Sequence, residues 1–223
     1  MALIELREVR KTYDIGNASV TALDAVDLDI DEGEFVAILG PSGSGKSTLM
    51  HLLGFLDQPT SGVIRFDGRE LSAISPIQRA LIRANKVGFV FQAFNLLPRL
   101  SVLRNTLLPL SYSRKAVSDA QDRAWHVLDR VGMRDRGHHL PSQLSGGQKQ
   151  RAAIARALIN EPRLILADEP TGNLDSHTAK NIMELFTKLN KEGRTVIVVT
   201  HDPGVAEYSR RQVHVLDGKI ASS

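Results

Sequence analysis

A glycine-rich segment, Gly40-Pro-Ser-Gly-Ser-Gly-Lys-Ser-Thr48, has the residue types and spacing of a loop that cradles phosphate. Gly43 and Gly45 permit turns that other residues disfavour, so successive backbone N–H groups converge on one anion. The segment follows a short apolar run and opens an apolar helix, whose N-terminus adds a positive dipole. Lys46 supplies a full charge for the β- and γ-phosphates, and the Ser47 hydroxyl suits Mg²⁺. The pattern predicts a phosphate site made by Gly40, Ser42, Gly43, Ser44, Gly45, Lys46, Ser47 and Thr48.

Two acids end a second apolar run, Arg163-Leu-Ile-Leu-Ala-Asp168-Glu169. A strand that ends there places both carboxylates at its carboxyl edge, where α/β sheets bind ligands. Asp168 can hold Mg²⁺ through water. Glu169 can orient and deprotonate an attacking water, which is the work of a general base.

A third segment, Leu144-Ser-Gly-Gly-Gln148, precedes a helical pattern predicted from Lys149 to Ile159. Ser145 and Gln148 have the spacing of a capping box, and the two glycines between them expose backbone N–H groups. Taken alone, this segment is equally well explained as an ordinary capped helix start.

Alternating strands and helices must position these three segments. Residues 3–9 and 25–30 alternate as half-buried strands do, and the apolar run 34–39 is typical of a strand buried on both faces. Ser75-Pro76 predicts a helix start, after which Ile77, Ala80, Leu81 and Ala84 share one face. The last third of the chain predicts a strand over 163–167, a helix over 176–191 and a strand over 195–200. Strand–helix alternation indicates an α/β fold with a parallel sheet.

Composition narrows the function classes. Twenty-eight Lys and Arg face 25 Asp and Glu, giving a formal net charge of +3, which is too small to argue for nucleic-acid binding. The sequence has no cysteine, so thiol catalysis and Cys-ligated zinc are excluded. Its apolar runs are far shorter than the roughly 20 residues that span a bilayer. We therefore expect a cytosolic chain with no membrane segment of its own.

The three segments, in this order and at about this spacing, resemble the ATP-binding-cassette (ABC) ATPases, and the resemblance covers residues 1–223. It implies one domain with a P-loop NTPase (RecA-like) core, an N-terminal antiparallel β subdomain and an inserted α-helical subdomain. The β-rich part and P-loop core would cover 1–92, the helical subdomain about 93–160, and the second half of the core 161–223. ATP and Mg²⁺ are the implied cofactors.

Several residues gain roles only through this resemblance. Tyr13 would stack on adenine, and Gln92 would reach Mg²⁺ and the attacking water. His201 would contact the γ-phosphate, so that the catalytic set is Glu169, His201, Gln92 and Lys46. Ser145, Gly146, Gly147 and Gln148 match the family's signature sequence, which binds nucleotide, and Gly172-Asn-Leu-Asp175 matches the loop that contacts the partner subunit. The implied metal ligands are Ser47, Gln92 and Asp168.

Family membership also implies partners. Two copies would pair head to tail, with each ATP held between the P-loop of one copy and Ser145 to Gln148 of the other. A membrane permease on a separate chain would hold the pair at the cytoplasmic face of the inner membrane, with Ala93 facing its dock. The finer resemblance, carried by 92–98, 108–110 and 168–176, is to the lipoprotein-releasing and macrolide-export class. The alternatives are a soluble ABC ATPase acting on DNA or ribosomes and, less favoured, a P-loop small-molecule kinase.

Overall fold

A four-stranded antiparallel sheet opens the fold. The computed structural model describes residues 2–16, 18–112 and 119–221. Strands β1 (Ala2–Ile15) and β2 (Ala18–Asp31) form a long hairpin, and β4 (Ser61–Phe66) and β5 (Arg69–Glu70) extend it in the order β2-β1-β4-β5. The first two strands are longer than their alternating stretches, because the outer end of β2 is exposed on both faces and shows no apolar alternation.

A six-stranded sheet forms the second layer. It contains β3 (Phe35–Leu39), β6 (Val87–Phe91), β7 (Leu164–Asp168), β8 (Thr195–Val199), β9 (Arg211–Leu216) and β10 (Lys219–Ala221). The spatial order is β10-β9-β3-β8-β7-β6, and all neighbours are parallel except β10 and β9. Strands β3 and β8 are buried along their whole length, as expected for parallel strands covered on both faces.

Seven α-helices lie in the described part of the chain. They are α1 (Lys46–Leu53), α2 (Pro76–Lys86), α3 (Val102–Leu107), α4 (Ala120–Arg130), α5 (Gly146–Leu158), α6 (Ser176–Lys191) and α7 (Pro203–Ala206). Helix α6 has its predicted bounds, and Ser75 caps α2 as predicted. Helix α5 begins three residues before its predicted start, because Ser145 caps it and the two glycines form its first turn.

Two apolar clusters hold the layers together. One lies between the antiparallel sheet, α1 and the parallel sheet. The other joins α3, α4, α5 and α6 to the opposite face of the parallel sheet. The described helices are all too short or too polar to cross a bilayer. The mixed α/β architecture confirms the predicted fold class, with α3, α4 and α5 inserted between β6 and β7.

Candidate active site

The phosphate loop connects β3 to α1 and lines a cleft of about 740 Å³. Gly45 stands at the N-cap of α1 with φ 105°, where a Cβ would lie 2.5 Å from the carbonyl oxygen of Ala22. Only glycine fits this conformation and this close approach. Because the cap supplies no side-chain acceptor, the first N–H groups of α1 stay free to bind an anion.

Lys46 is the first residue of α1, and its ammonium group folds back over the loop. Its Nζ donates to the carbonyl oxygens of Gly40 and Pro41, each at 2.7 Å. These two bonds hold the charge beside the first N–H groups of α1, which no side chain caps. A phosphate entering the cleft would replace these bonds to neutral carbonyls with stronger bonds in which both the donor and the acceptor are charged.

The ends of adjacent parallel strands supply the rest of the cleft. In register, Asp168 at the end of β7 lies between Phe91 of β6 and Val199 of β8. The residues that follow these strand ends therefore meet at one edge of the sheet. The lining residues are Ala22, Pro41, Ser42, Gly43, Gly45, Lys46, Ser47, Thr48, Asp168, Glu169, Val199 and His201.

Glu169 is fixed by the residues that follow β8. Its carboxylate accepts from the Thr200 hydroxyl at 3.1 Å and from the His201 backbone N–H at 3.0 Å. The Nδ1 of His201 lies 2.6 Å from the same carboxylate, and this hydrogen bond raises the pKa of the His201 imidazole. The two predicted catalytic groups are thus in direct contact.

Asp168 is half-buried beside Glu169. Burial raises the pKa of the Asp168 carboxyl, and the neighbouring charge of Glu169 adds to the shift. The Asp168 carboxylate and the Ser47 hydroxyl line one cleft, and oxygen ligands of this number and kind fit Mg²⁺, which keeps several waters or phosphate oxygens. No cluster of three or more His, Cys, Asp or Glu that could hold a metal by itself occurs among the described residues.

Other predicted site residues lie outside the cleft lining. Gly40 and Ser44 belong to the loop but not to the cleft wall, and Ser44 is buried. Gln92 directly follows β6, and its backbone carbonyl accepts from Asn173 at 2.9 Å. Tyr13 lies on β1, and its hydroxyl donates to Asp57 at 3.0 Å. Adenine stacking by Tyr13 stays a prediction.

The segment Ser145–Gln148 forms the start of α5 and does not line the cleft. Ser145 and Gln148 form the predicted capping box, with bonds of 3.3 and 3.0 Å. A Cβ on Gly147 would lie 2.4 Å from Thr178, so this glycine lets the helix start pack closely against the first turn of α6. Asp175 caps α6 by accepting from Thr178 N at 2.9 Å, and the hydrogen bonds from Thr178 lower the pKa of the Asp175 carboxyl.

Comparison with known proteins decides the family. Residues 23–172 match the sequence pattern of the ABC transporter family. The chain belongs to this family.

Its relatives are transport cassettes. The macrolide export ATP-binding/permease protein MacB of Syntrophobacter fumaroxidans is 54% identical over 223 residues, which are 99% of this chain and 31% of that protein. The chain thus spans about a third of the MacB relatives' length. YknY of Bacillus subtilis, an uncharacterized ABC transporter ATP-binding protein, is 52% identical over 218 residues, which are 98% of this chain and 95% of that protein.

Solved structures agree with this assignment. The ATP-binding cassette MJ0796, in a dimeric post-hydrolysis state bound to ADP and Pi, superposes with a TM-score of 0.90. The two chains are 46% identical, and the match covers 98% of this chain and 97% of the other. A second dimeric structure of MJ0796 gives the same TM-score at 47% identity. This ABC chain is an ATPase cassette that binds nucleotide.

The sequence interpretation gave no site role to several residues of the cleft and its support, among them Ala22 and Thr200. Ala22 of β2 forms part of the wall, and Thr200 supports Glu169. The sequence could have indicated Thr200 as a site residue, since it carries a hydroxyl group and stands at a strand end directly before His201. The sequence could not have indicated Ala22, because a small residue in a hairpin strand carries no chemistry of its own.

Proposed function

We propose that this chain is the ATP-hydrolysing subunit of a transporter in the macrolide-export class, and that it works as a head-to-tail homodimer. The observation that carries the proposal is the separation of two anion-binding helix starts. The start of α1 lines the cleft together with Glu169, the proposed general base, whereas Ser145–Gln148 at the start of α5 lies outside it. A second copy would bring its own α5 start to each cleft and complete it. Residues 1–223 would act together as one cassette domain in this assembly.

Hydrolysis then follows from the chain's own groups. Lys46 and the first N–H groups of α1 would hold the β- and γ-phosphates of ATP. Glu169 would take the proton of the attacking water as the bond from the γ-phosphorus to the β–γ bridging oxygen breaks. His201 would hold a γ-phosphate oxygen, and its contact with Glu169 places it beside the reacting atoms.

Three oxygen-bearing side chains are proposed to hold Mg²⁺. They are the Ser47 hydroxyl, the Asp168 carboxylate and the Gln92 amide. The cation would neutralise charge on the phosphate oxygens.

A membrane permease is the proposed partner, and an apolar groove supports it. The groove has a volume of about 640 Å³ and is bordered by the α2 face that carries Ile77, Ala80, Leu81 and Ala84. Ile77 is 62% exposed, so the described part of the chain leaves this end of the α2 face uncovered. Phe91, directly before Gln92, also lines the groove. A permease helix seated there would contact the strand that leads to the active site.

This arrangement implies a place in the cell. The name of the MacB relatives joins an ATP-binding part to a permease in one protein, whereas the match to YknY covers 95% of that ATP-binding protein. We propose that this chain meets its permease on a separate chain, at the cytoplasmic face of the inner membrane.

Complementation tests the shared site. Lys46→Ala removes the phosphate-binding charge, and Ser145→Arg blocks the α5 start; each variant alone should hydrolyse MgATP far more slowly than wild type. In a mixed dimer, one site carries both defects and the other carries neither. Mixing the two proteins should therefore restore phosphate release, and a mixture no more active than its components would contradict the head-to-tail dimer.

A further inference from the structure

Gln150 is a buried amide that the proposed chemistry does not use. It lies in the first part of α5, two residues after Gln148, and its side chain is fully buried. Its Nε2 donates to the carbonyl oxygen of Pro170 at 2.8 Å. Its Oε1 is buried and has no hydrogen-bond partner among the residues that the structure describes. Leucine or methionine would fill a similar volume without the cost of burying an amide that has one unpaired polar atom.

The hydrogen bond from Gln150 ends on Pro170, which directly follows Glu169, the proposed general base. Glu169 has φ 42°, a backbone conformation that is uncommon for a residue other than glycine. The backbone N–H of Glu169 donates to Val199 at 2.9 Å, and its carbonyl accepts from Gly172 at 3.1 Å. The first bond attaches the turn that follows β7 to strand β8, and the second bond closes the turn. The bond from Gln150 attaches it to α5.

The other end of this connection is the start of α5. Ser145 caps α5, and Gln150 lies about 1.4 turns further along the same helix, so a displacement of the helix start is passed rigidly to the amide. The proposed dimer places the nucleotide of the second copy at that start.

We infer that Gln150 is a positioning residue for hydrolysis: it transmits the seating of α5 on the second copy's nucleotide to the turn that aims Glu169 at the attacking water. The inference rests on the proposed function, because it takes Glu169 as the base and the α5 start as the other half of the site. Misplacement of a reacting group by about 1 Å can cost about a hundredfold in rate. Loss of the bond should therefore reduce kcat while leaving the binding of ATP to the loop unchanged.

Replacing Gln150 with leucine tests this inference in the full-length chain. Gln150→Leu should lower kcat for MgATP at least about tenfold, with KM within about twofold of wild type. Gln150→Met, which is unbranched and adapts to irregular space, is the second variant if the leucine disturbs folding. In a Glu169→Gln background, either substitution should slow single-turnover hydrolysis by less than about twofold, because the group that it positions is already gone.

Asn190→Leu is the matched control. Asn190 is a buried amide at the end of α6 that donates to the carbonyls of Gly33 and Arg194, each at 2.8 Å. Those carbonyls precede β3 and β8, at the edge of the sheet opposite the cleft. This variant should lose a comparable amount of thermal stability and keep the kcat of wild type.

Three results would overturn the inference: an unchanged kcat in both Gln150 variants, an equal loss of kcat in Asn190→Leu, or losses that multiply in the Glu169→Gln background. The proposed function fails separately, and visibly, if wild type does not hydrolyse MgATP or if Glu169→Gln hydrolyses it normally.

Discussion

Replacement of Glu169 by glutamine removes the proposed general base while keeping the shape of the cleft. The carboxylate accepts three hydrogen bonds, one from Thr200 and two from His201. The amide oxygen can keep part of this set, but the amide nitrogen cannot accept. The loss of one hydrogen bond to a charged acceptor costs about 1.5–3 kcal/mol of stability. Removal of a general base slows a reaction by about 10²–10⁴, which is about 3–5 kcal/mol in the activation barrier. The chemical loss is therefore larger than the structural one.

Nucleotide binding should survive the same substitution. The charge of Glu169 is one of the causes that raise the pKa of Asp168, after burial. Its removal favours the ionised form of Asp168 and lowers the negative charge that faces the phosphates. We expect Glu169→Gln to bind ATP and to accumulate as an ATP-bound dimer in size-exclusion chromatography, with phosphate release at least about a hundredfold slower. Glu207→Gln, at an exposed position, is the charge-matched control. Phosphate release within about threefold of wild type would refute Glu169 as the base.

The contact of His201 with Glu169 should make the stability of the fold depend on pH, because it raises the pKa of the His201 imidazole. The contact stabilises the fold fully below about pH 6.5, the ordinary pKa of histidine. This stabilisation is lost as the pH rises through the raised pKa. The difference in melting temperature between wild type and His201→Gln should therefore shrink as the pH rises, and a constant difference would contradict the ion pair. Because Ile77 on α2 is exposed, we expect Ile77→Asp to abolish co-purification with the permease. The free energy of unfolding should change by less than about 0.5 kcal/mol, and the isolated chain should keep its ATPase activity. Leu216→Asp, at another exposed apolar position, should retain the permease; equal retention by Ile77→Asp would exclude the groove as the dock.

The part of the site that is formed by residues contiguous in the chain could be predicted from the sequence. The phosphate loop is contiguous, so its glycines, Lys46 and Ser47 are recognisable before any fold is known. Helix α6 shows the same: an N-cap at Asp175 and a regular apolar spacing give its bounds. The apolar spacing in α2 had a different outcome, because a pattern indicates which residues share a face but not what covers it. The face with Ile77 borders an open groove instead of the core.

Contacts between segments that are distant in the sequence could not be predicted from it. The support of Glu169 by Thr200 requires β7 and β8 to be neighbours in register, and the fold-back of Lys46 depends on the geometry of the whole loop. Gln150 shows the limit most clearly. Its sequence position, two residues after the signature segment, gives no sign of its burial, whereas tertiary packing buries it completely against the turn after β7.

Helix α5 contacts three parts of the proposed motor. Its first residues, Ser145–Gln148, would face the second copy in the proposed dimer, and Gln150 bonds to the turn that carries Glu169. Further along, Arg156 lines the apolar groove and donates to the carbonyl oxygen of Phe94 at 2.9 Å, in the loop that follows Gln92. A rigid helix that bonds to all three cannot shift at one end without a change at the others. Seating of a permease helix in the groove and seating of the second copy's nucleotide would therefore act on the same base, which couples hydrolysis to transport without direct contact between permease and ATP.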